Sequence, residues 1–307
     1  MSYVIETEDL TKHYGELYAA EAVHLQVKQG EIYGFLGLNG AGKTTTIRML
    51  LGMIRPTRGK ALLFGRKVDP GNMDIWNMVG HMVEMPYSYP ELTVVENLEI
   101  FRRLRFLNDP GLLPGIVDKL YLGPYQNTKA KNLSLGNAQR LGIAKAMIHH
   151  PRLLILDEPA NGLDPAGIVQ IRELLLDLAR THGVTIFISS HILGEISRFA
   201  TRIGIIHQGR MVLESDADQL KKSRYRALHV NTTDNKTAFE LLETRGYSPA
   251  FLPDGSLEIQ DEQAISRPEK ISALLASNEL PPIKIAVEEE DLEHYFFRII
   301  QPQNEPL

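Results

Sequence analysis

The stretch EIYGFLGLNGAGKTT, residues 31–45, constrains this chain more than any other. An apolar segment over 31–37 predicts a buried strand, and the run from Thr44 to Leu51 predicts a helix. Between them the residues fit G-x-x-x-x-G-K-[ST], with Gly37, Gly42, Lys43 and Thr44 in the required places. In such a loop, backbone N–H groups converge on phosphate oxygens, the lysine reaches the β- and γ-phosphates, and the hydroxyl ligates Mg2+. Asn39, Gly40, Ala41 and Thr45 share the turn and are expected to contact the nucleotide. A chance glycine-rich turn has no reason to follow an apolar strand and open a helix. A nucleotide and Mg2+ are the expected ligands.

A second segment supplies what the loop lacks. LLILDEP, residues 153–159, is a short apolar strand ending in Asp157 and Glu158. A strand end there aims Asp157 at the metal and leaves Glu158 beside it to polarise a water. His191 follows another apolar strand, VTIFIS (184–189), and is placed to contact the γ-phosphate; alone it would read as a structural loop residue. A third segment, LSLGNAQRLGIAKA (133–146), sets Ser134 and Gly136 ahead of an amphipathic run. That is either a plain helix cap or a second anion site.

Alternating buried strands and amphipathic helices predict an α/β domain with a largely parallel sheet over residues 1–220. Its start reads as strands Val4–Glu8 and Ala22–Val27 with a turn at Tyr14-Gly15. Residues about 88–150 change to a helical character, with Thr93 and Glu96 forming a capping box that opens a helix through Phe106. Asp164-Pro165 caps the next helix and Gly183 ends it. Residues 202–215 read as a hairpin. After the basic link KKSRYRAL, residues 221–307 read as a small α+β module, ferredoxin-like in order. The elements expected are strand 226–231, helix 236–246, strands 248–252 and 256–260, helix 264–277, strand 282–287 and helix 290–300.

Composition excludes several classes. The 307 residues carry a net charge of −5, against the basic excess of a dedicated nucleic-acid binder. Cysteine is absent, which removes disulfides and thiol catalysis. The acidic start MSYVIETEDL is unlike a signal peptide, and no apolar run reaches the roughly 18–20 residues of a membrane helix. A cytoplasmic protein is expected.

The order of these segments (the phosphate loop, LSLGN, LLILDE, NGLD at 161–164 and SSH at 189–191) resembles the ABC-transporter ATPase family over residues 1–220. The resemblance implies a P-loop NTPase with ATP and Mg2+ as its cofactors: a RecA-like core with antiparallel β and helical subdomains. VEMPYSYPELTVVENL (83–98) and LGIAKA with ANGLDPAGI look most like drug, bacitracin and lantibiotic exporters. The tail, ending in DLEHYFFRI, is similar to the accessory domain of many such ATPases. By position, the family implies that Tyr14 stacks on adenine, although a core or surface tyrosine reads equally from the residue alone. It implies that Asp164 lies at a dimer seam as well as capping its helix. It also implies that Ser134 and Gly136 bind the γ-phosphate held by the opposite subunit of a dimer, a homodimer being expected. The membrane-spanning permease is then a separate polypeptide, which holds this subunit at the cytoplasmic face of the membrane.

The chain departs from the family at three positions. Leu135 stands for a glycine and Asn137 for a glutamine in the signature, and Glu84 stands for the glutamine that senses Mg2+ and the attacking water. Glu84 therefore brings an extra charge to the metal and the catalytic water. Met85, Pro86, Tyr87 and Tyr89 beside it either meet the permease or are buried. Arg102, Arg103 and Arg105 read as a solvated helix face. Two rivals remain at this level. An ABC ATPase acting on DNA or ribosomes would normally carry tandem cassettes or long insertions; a nucleotide-gated module without turnover would normally lose Glu158 or His191.

Overall fold

The computed structural model describes residues 3–84 and 87–300, and its chain divides into two compact units, Met1–Gln219 and Leu220–Leu307. Met85 and Pro86 lie outside the described residues. In the first unit a six-stranded sheet runs in the order 210–216, 202–207, 32–36, 185–190, 153–157, 79–82. All neighbours are parallel except the edge strand Arg210–Asp216. Ile32–Leu36, Leu153–Asp157 and Thr185–Ser190 are buried along their whole length. That is why they read as continuous apolar runs rather than as alternating ones.

A second, antiparallel sheet orders Leu17–Val23, Tyr3–Tyr14, Arg58–Leu63 and Arg66–Lys67, with Gln26–Lys28 also paired to the first strand. The two sheets share one core. Val4, Ile5 and Leu10 from the antiparallel sheet join Phe35, Ile155 and Phe187 from the parallel one, and Ile47 and Leu50 from the helix after the phosphate loop. Phe187 stacks on Tyr33 at 5.4 Å. Each such side chain contributes about 1.5–3 kcal/mol on burial, so the loop is bracketed by the best-packed part of the unit.

The first strand is longer than expected. It runs unbroken from Tyr3 to Tyr14, and in place of one strand Ala22–Val27 it pairs with two, Leu17–Val23 and Gln26–Lys28. Asp9 and Ala22 take positive φ, 48° and 46°, where the register shifts. These irregularities break the sequence alternation without ending the strand. The capping box forms as the sequence requires: Glu96 N–H donates to Thr93 Oγ1, and Thr93 N–H donates to Glu96 Oε2 at 2.7 Å. Helices Val94–Leu104, Leu112–Lys119 and Leu135–Met147 occupy the middle of the unit. Asp164 caps Pro165–His182, which ends at Gly183 with φ 64°. Of the three arginines read as a solvated face only Arg103 is one: Arg102, 12% exposed, donates to Glu99 and to the Leu107 carbonyl, and Arg105 turns inward to the Trp76 carbonyl.

The second unit is a four-stranded antiparallel sheet ordered 249–251, 257–259, 226–232, 282–289. With helices Asn235–Thr244 and Pro268–Ala276 as its two crossovers, this is the ferredoxin-like βαββαβ order. Leu228, Val230, Leu257 and Ile259 face helix residues Leu242, Ile271 and Leu275 in its core. The expected single helix 264–277 is two, Glu262–Ser266 and Pro268–Ala276. Pro268 cannot donate to the preceding turn, and Arg267 before it is displaced from helical geometry, so the helix restarts there.

Candidate functional site

The phosphate loop leaves the central strand at Gly37 and enters the helix Lys43–Leu50. Its glycines are required sterically. A Cβ on Gly42, where φ is 108°, would lie 2.3 Å from the Ala19 carbonyl oxygen, and one on Gly37 would lie 2.4 Å from that of Ile206. Both carbonyls come from neighbouring strands, so the sheets themselves set the loop's shape. Lys43 is 6% exposed; its Nζ donates to the Gly37 carbonyl at 2.7 Å and to that of Leu38 at 3.2 Å. The ammonium is thereby curled into the loop.

Three strand ends converge on that ammonium. Thr44 Oγ1 donates to Asp157 Oδ2 at 2.8 Å, and Ser189 Oγ donates to Asp157 Oδ1 at 2.5 Å. The same Ser189 hydroxyl accepts the Glu158 N–H at 3.0 Å. Glu158 sits at φ 50°, a strained position for a non-glycine residue that is common where function demands an exact side-chain direction. Its Oε2 accepts from His191 Nδ1 at 2.7 Å and from the His191 N–H at 3.3 Å. Its Oε1 lies 3.2 Å from Lys43 Nζ but is buried with no hydrogen-bond donor, so the pair is held by charge without a directed bond. A buried carboxylate oxygen with no directed hydrogen bond has acceptor capacity left over for a water.

Around these groups is a cleft of about 680 Å³ lined by Tyr14, Leu17, Tyr18, Ala19, Gln208, Glu158 and the loop from Asn39 to Thr45. Tyr14 is half-exposed, with Lys12 Nζ 5.1 Å from its ring centre. The sequence therefore locates most of the lining: Tyr14, Asn39, Gly40, Ala41, Gly42, Lys43, Thr44, Thr45 and Glu158 share one cleft, and Asp157 and His191 hydrogen-bond to its members. It misses Leu17, Tyr18, Ala19 and Gln208 of the lining, and Ser189 beneath it. Gln208 gives no local signal; Ser189 stands two residues before His191 in SSH and was legible as a strand end.

Ser134, Gly136 and Asp164 do not join this cleft. Ser134 Oγ accepts the Asn137 N–H at 3.3 Å, the cap of its own helix. Leu135 is 44% exposed and packs on Gly162, where a Cβ would meet its Cδ2 at 2.1 Å. That contact gives the leucine of LSLGN a seat against the NGLD turn. Asp164 Oδ1 accepts the Gly167 N–H at 2.8 Å. Glu84, at φ 59°, receives a hydrogen bond from Arg48 on the loop's own helix. Among the described residues no hydrogen bond joins it to Thr44 or Asp157. Tyr87 is largely exposed, and its carbonyl accepts from the buried Lys145, whose ammonium burial pushes down to about 8.

The residues fit a bound nucleotide and metal. The glycine cradle leaves room only for backbone and ligand, and the Thr44–Asp157 pair offers hard oxygen donors. Among the described residues no group of three or more His, Cys, Asp or Glu side chains could hold a metal unaided. That suits Mg2+, which takes one or two protein oxygens and completes its shell with phosphates and water.

This fold and site define a P-loop nucleoside triphosphatase, with the loop at the end of Ile32–Leu36 and both carboxylates at the end of Leu153–Asp157, one strand removed across Thr185–Ser190. Known proteins resolve it further. The family model described as ABC transporter matches residues 20–161. The bacitracin transport ATP-binding protein BcrA of Bacillus licheniformis is 40% identical over 302 residues, covering 98% of both chains. The protein of the same name from Enterococcus faecalis is 41% identical over 98% of this chain and 97% of its own. A solved dimeric ATP-binding cassette in a post-hydrolysis state, bound to ADP and Pi, is 25% identical over 69% of this chain and 98% of its own, with a TM-score of 0.64. The chain belongs to the ABC transporter family, as an ATP-binding subunit that hydrolyses ATP to drive transport. Among the described residues no helix is long and apolar enough to cross a membrane.

Proposed function

We propose that this subunit powers an exporter of a peptide antibiotic of the bacitracin kind, closing as a homodimer around two ATP molecules against a separate permease at the cytoplasmic face of the membrane. The observation that carries the catalytic part is the Glu158 carboxylate, held by His191 on one oxygen and facing only the Lys43 ammonium, without a hydrogen bond, on the other. Glu158 takes the proton from the attacking water through that oxygen once Lys43 has turned to the phosphates. His191, fixed through Nδ1, presents its other ring nitrogen towards the γ-phosphate. Lys43 releases the Gly37 and Leu38 carbonyls to pair with the β- and γ-phosphates, and Tyr14 stacks on adenine. Mg2+, when bound to Thr44 and, through water, to Asp157, neutralises charge on the phosphates. Ser189 positions both carboxylate residues.

Support for a dimer is the distance in sequence and structure between the two anion-binding helix starts: Ser134 and Gly136 are not part of the loop's cleft. Each then completes the site of the other copy, and Asp164 lies at the seam. A mixing experiment tests this. Ser134→Arg keeps its loop and Lys43→Ala keeps its signature; each alone should be inactive, and mixing should restore part of the ATPase activity. Full activity of Ser134→Arg alone would refute the arrangement.

Support for the cargo is the near full-length similarity to the two bacitracin transport proteins. Deleting the chain in its host should lower the bacitracin concentration that stops growth, with recovery on re-expression. An unchanged threshold would remove bacitracin as cargo and leave the ATPase reading intact.

A further inference from the structure

Glu84 has a counter-ion of its own. Arg48 Nη2 donates to Glu84 Oε1, and Arg48 lies four residues after Thr44 in the same helix, hence one turn along the same face. From the other side, Glu84 leaves the edge strand just after Met82, which pairs with Leu156, the residue before Asp157. Glu84 therefore follows the strand next to the one that ends in Asp157, and its carboxylate is paired with a guanidinium whose backbone lies one helical turn from Thr44. Both members are more than a third exposed, and exposed ion pairs add little to folding. Folding alone does not account for a left-handed glutamate at this place.

Described residues before and after Glu84 are tied to the rest of the unit. Met82 is fixed in the sheet, and beyond Glu84 the Tyr87 carbonyl and the Ser88 hydroxyl accept from Lys145, the latter at 2.7 Å. Asn97 then takes the Tyr89 N–H at 2.8 Å and donates to the Tyr89 carbonyl. We propose that Arg48 is a positioning residue that parks the Glu84 carboxylate away from the metal, and that release from Arg48 brings a second carboxylate to the divalent cation. A glutamine at position 84 would need no such counter-ion. The inference rests on the reading that MgATP occupies the phosphate loop.

The test is a double-mutant cycle read by binding rather than turnover: a fluorescent ATP analogue is titrated without metal and then with Mg2+. Arg48→Met should lower the half-saturating Mg2+ about fivefold when Glu84 is present, because the freed carboxylate moves to the cation. In the Glu84→Gln background the same substitution should shift it less than about twofold, the effect of one distant screened charge. Arg48→Lys keeps a counter-ion and should stay within about twofold of the parent. Equal shifts in both backgrounds would mean that Arg48 acts only as a remote charge, and would overturn the proposal. Metal-free nucleotide affinity should be the same in all chains. A parent chain that binds no nucleotide would overturn the ATP reading, and this inference with it.

Discussion

The phosphate loop and the start of the helix Leu135–Met147 are both helix N-termini suited to anions, yet they are built oppositely. At the loop no side chain caps the helix: Gly42 occupies the cap with φ 108° and makes no side-chain hydrogen bond, so its N–H groups are left for a ligand. A buried lysine, two carboxylates and a serine are already in register around it. At the other helix Ser134 caps its own N–H, no lysine or arginine stands in the first turn, and an exposed leucine sits beside the serine. The first is a nearly complete site within one chain. The second, in the function proposed above, is one wall of a site completed by another copy of the chain. Helix dipoles alone do not make an active site; converging side chains do.

The sharpest way to break this comparison is Glu158→Gln. If the loop side holds the whole chemical apparatus, hydrolysis should fall about 10²–10⁴-fold, the usual loss on removing a positioned general base. ATP binding should persist, because the amide oxygen can still accept from His191. Rapid-quench measurement of phosphate release beside nucleotide titration separates the two. Hydrolysis at the parent rate would move the base elsewhere and undo the contrast.

A smaller effect sharpens the other half. The signature helix is anchored at its far end, where His149 Nε2 meets the Val79 carbonyl at 3.1 Å while Nδ1 is buried without a partner. Burial, with the nearby Arg105 charge, pushes His149 down to about 4; burial likewise lowers His81. Unfolded histidine titrates near 6.5. Between about 6.5 and 4 the unfolded chain binds more protons than the folded one, so stability is full above that window and is lost as pH falls through it. His149 is part-exposed, which trims its share to about 1–2 kcal/mol. Urea unfolding at pH 7 and pH 5 should show the loss, and His149→Gln, which keeps an amide donor for Val79, should flatten it. An unchanged slope would mean that the anchor titrates freely.

The loop, the Asp157–Glu158 strand end and the SSH turn were legible because their chemistry is local. Each is an apolar run followed at once by the residues it delivers, and burial of the run fixes the delivery. The edge strand Val79–Met82 was not legible, since His81 and Gly80 interrupt its apolar pattern and only the sheet confers its strand character. Arg48–Glu84 and Lys145–Tyr87 join residues 36 and 58 apart in sequence. No periodicity marks such pairs. Arg105 shows the same limit from the other side: its neighbours' solvated spacing suggested a surface face, and tertiary contact with Trp76 decided otherwise. Pro268, by contrast, carried a break signal that the apolar periodicity on either side masked.

The hydroxyl of Ser189 reaches both Asp157 and the Glu158 N–H, and this is possible only because Asp157 and Ser189 are Cα partners across two parallel strands. A slip of one residue would turn every side chain of a strand to the opposite face. The same slip that would misassemble the core would also disarm the ATPase. A miscopied sheet therefore yields a silent protein rather than a leaky one, and a chain folded wrongly cannot squander ATP.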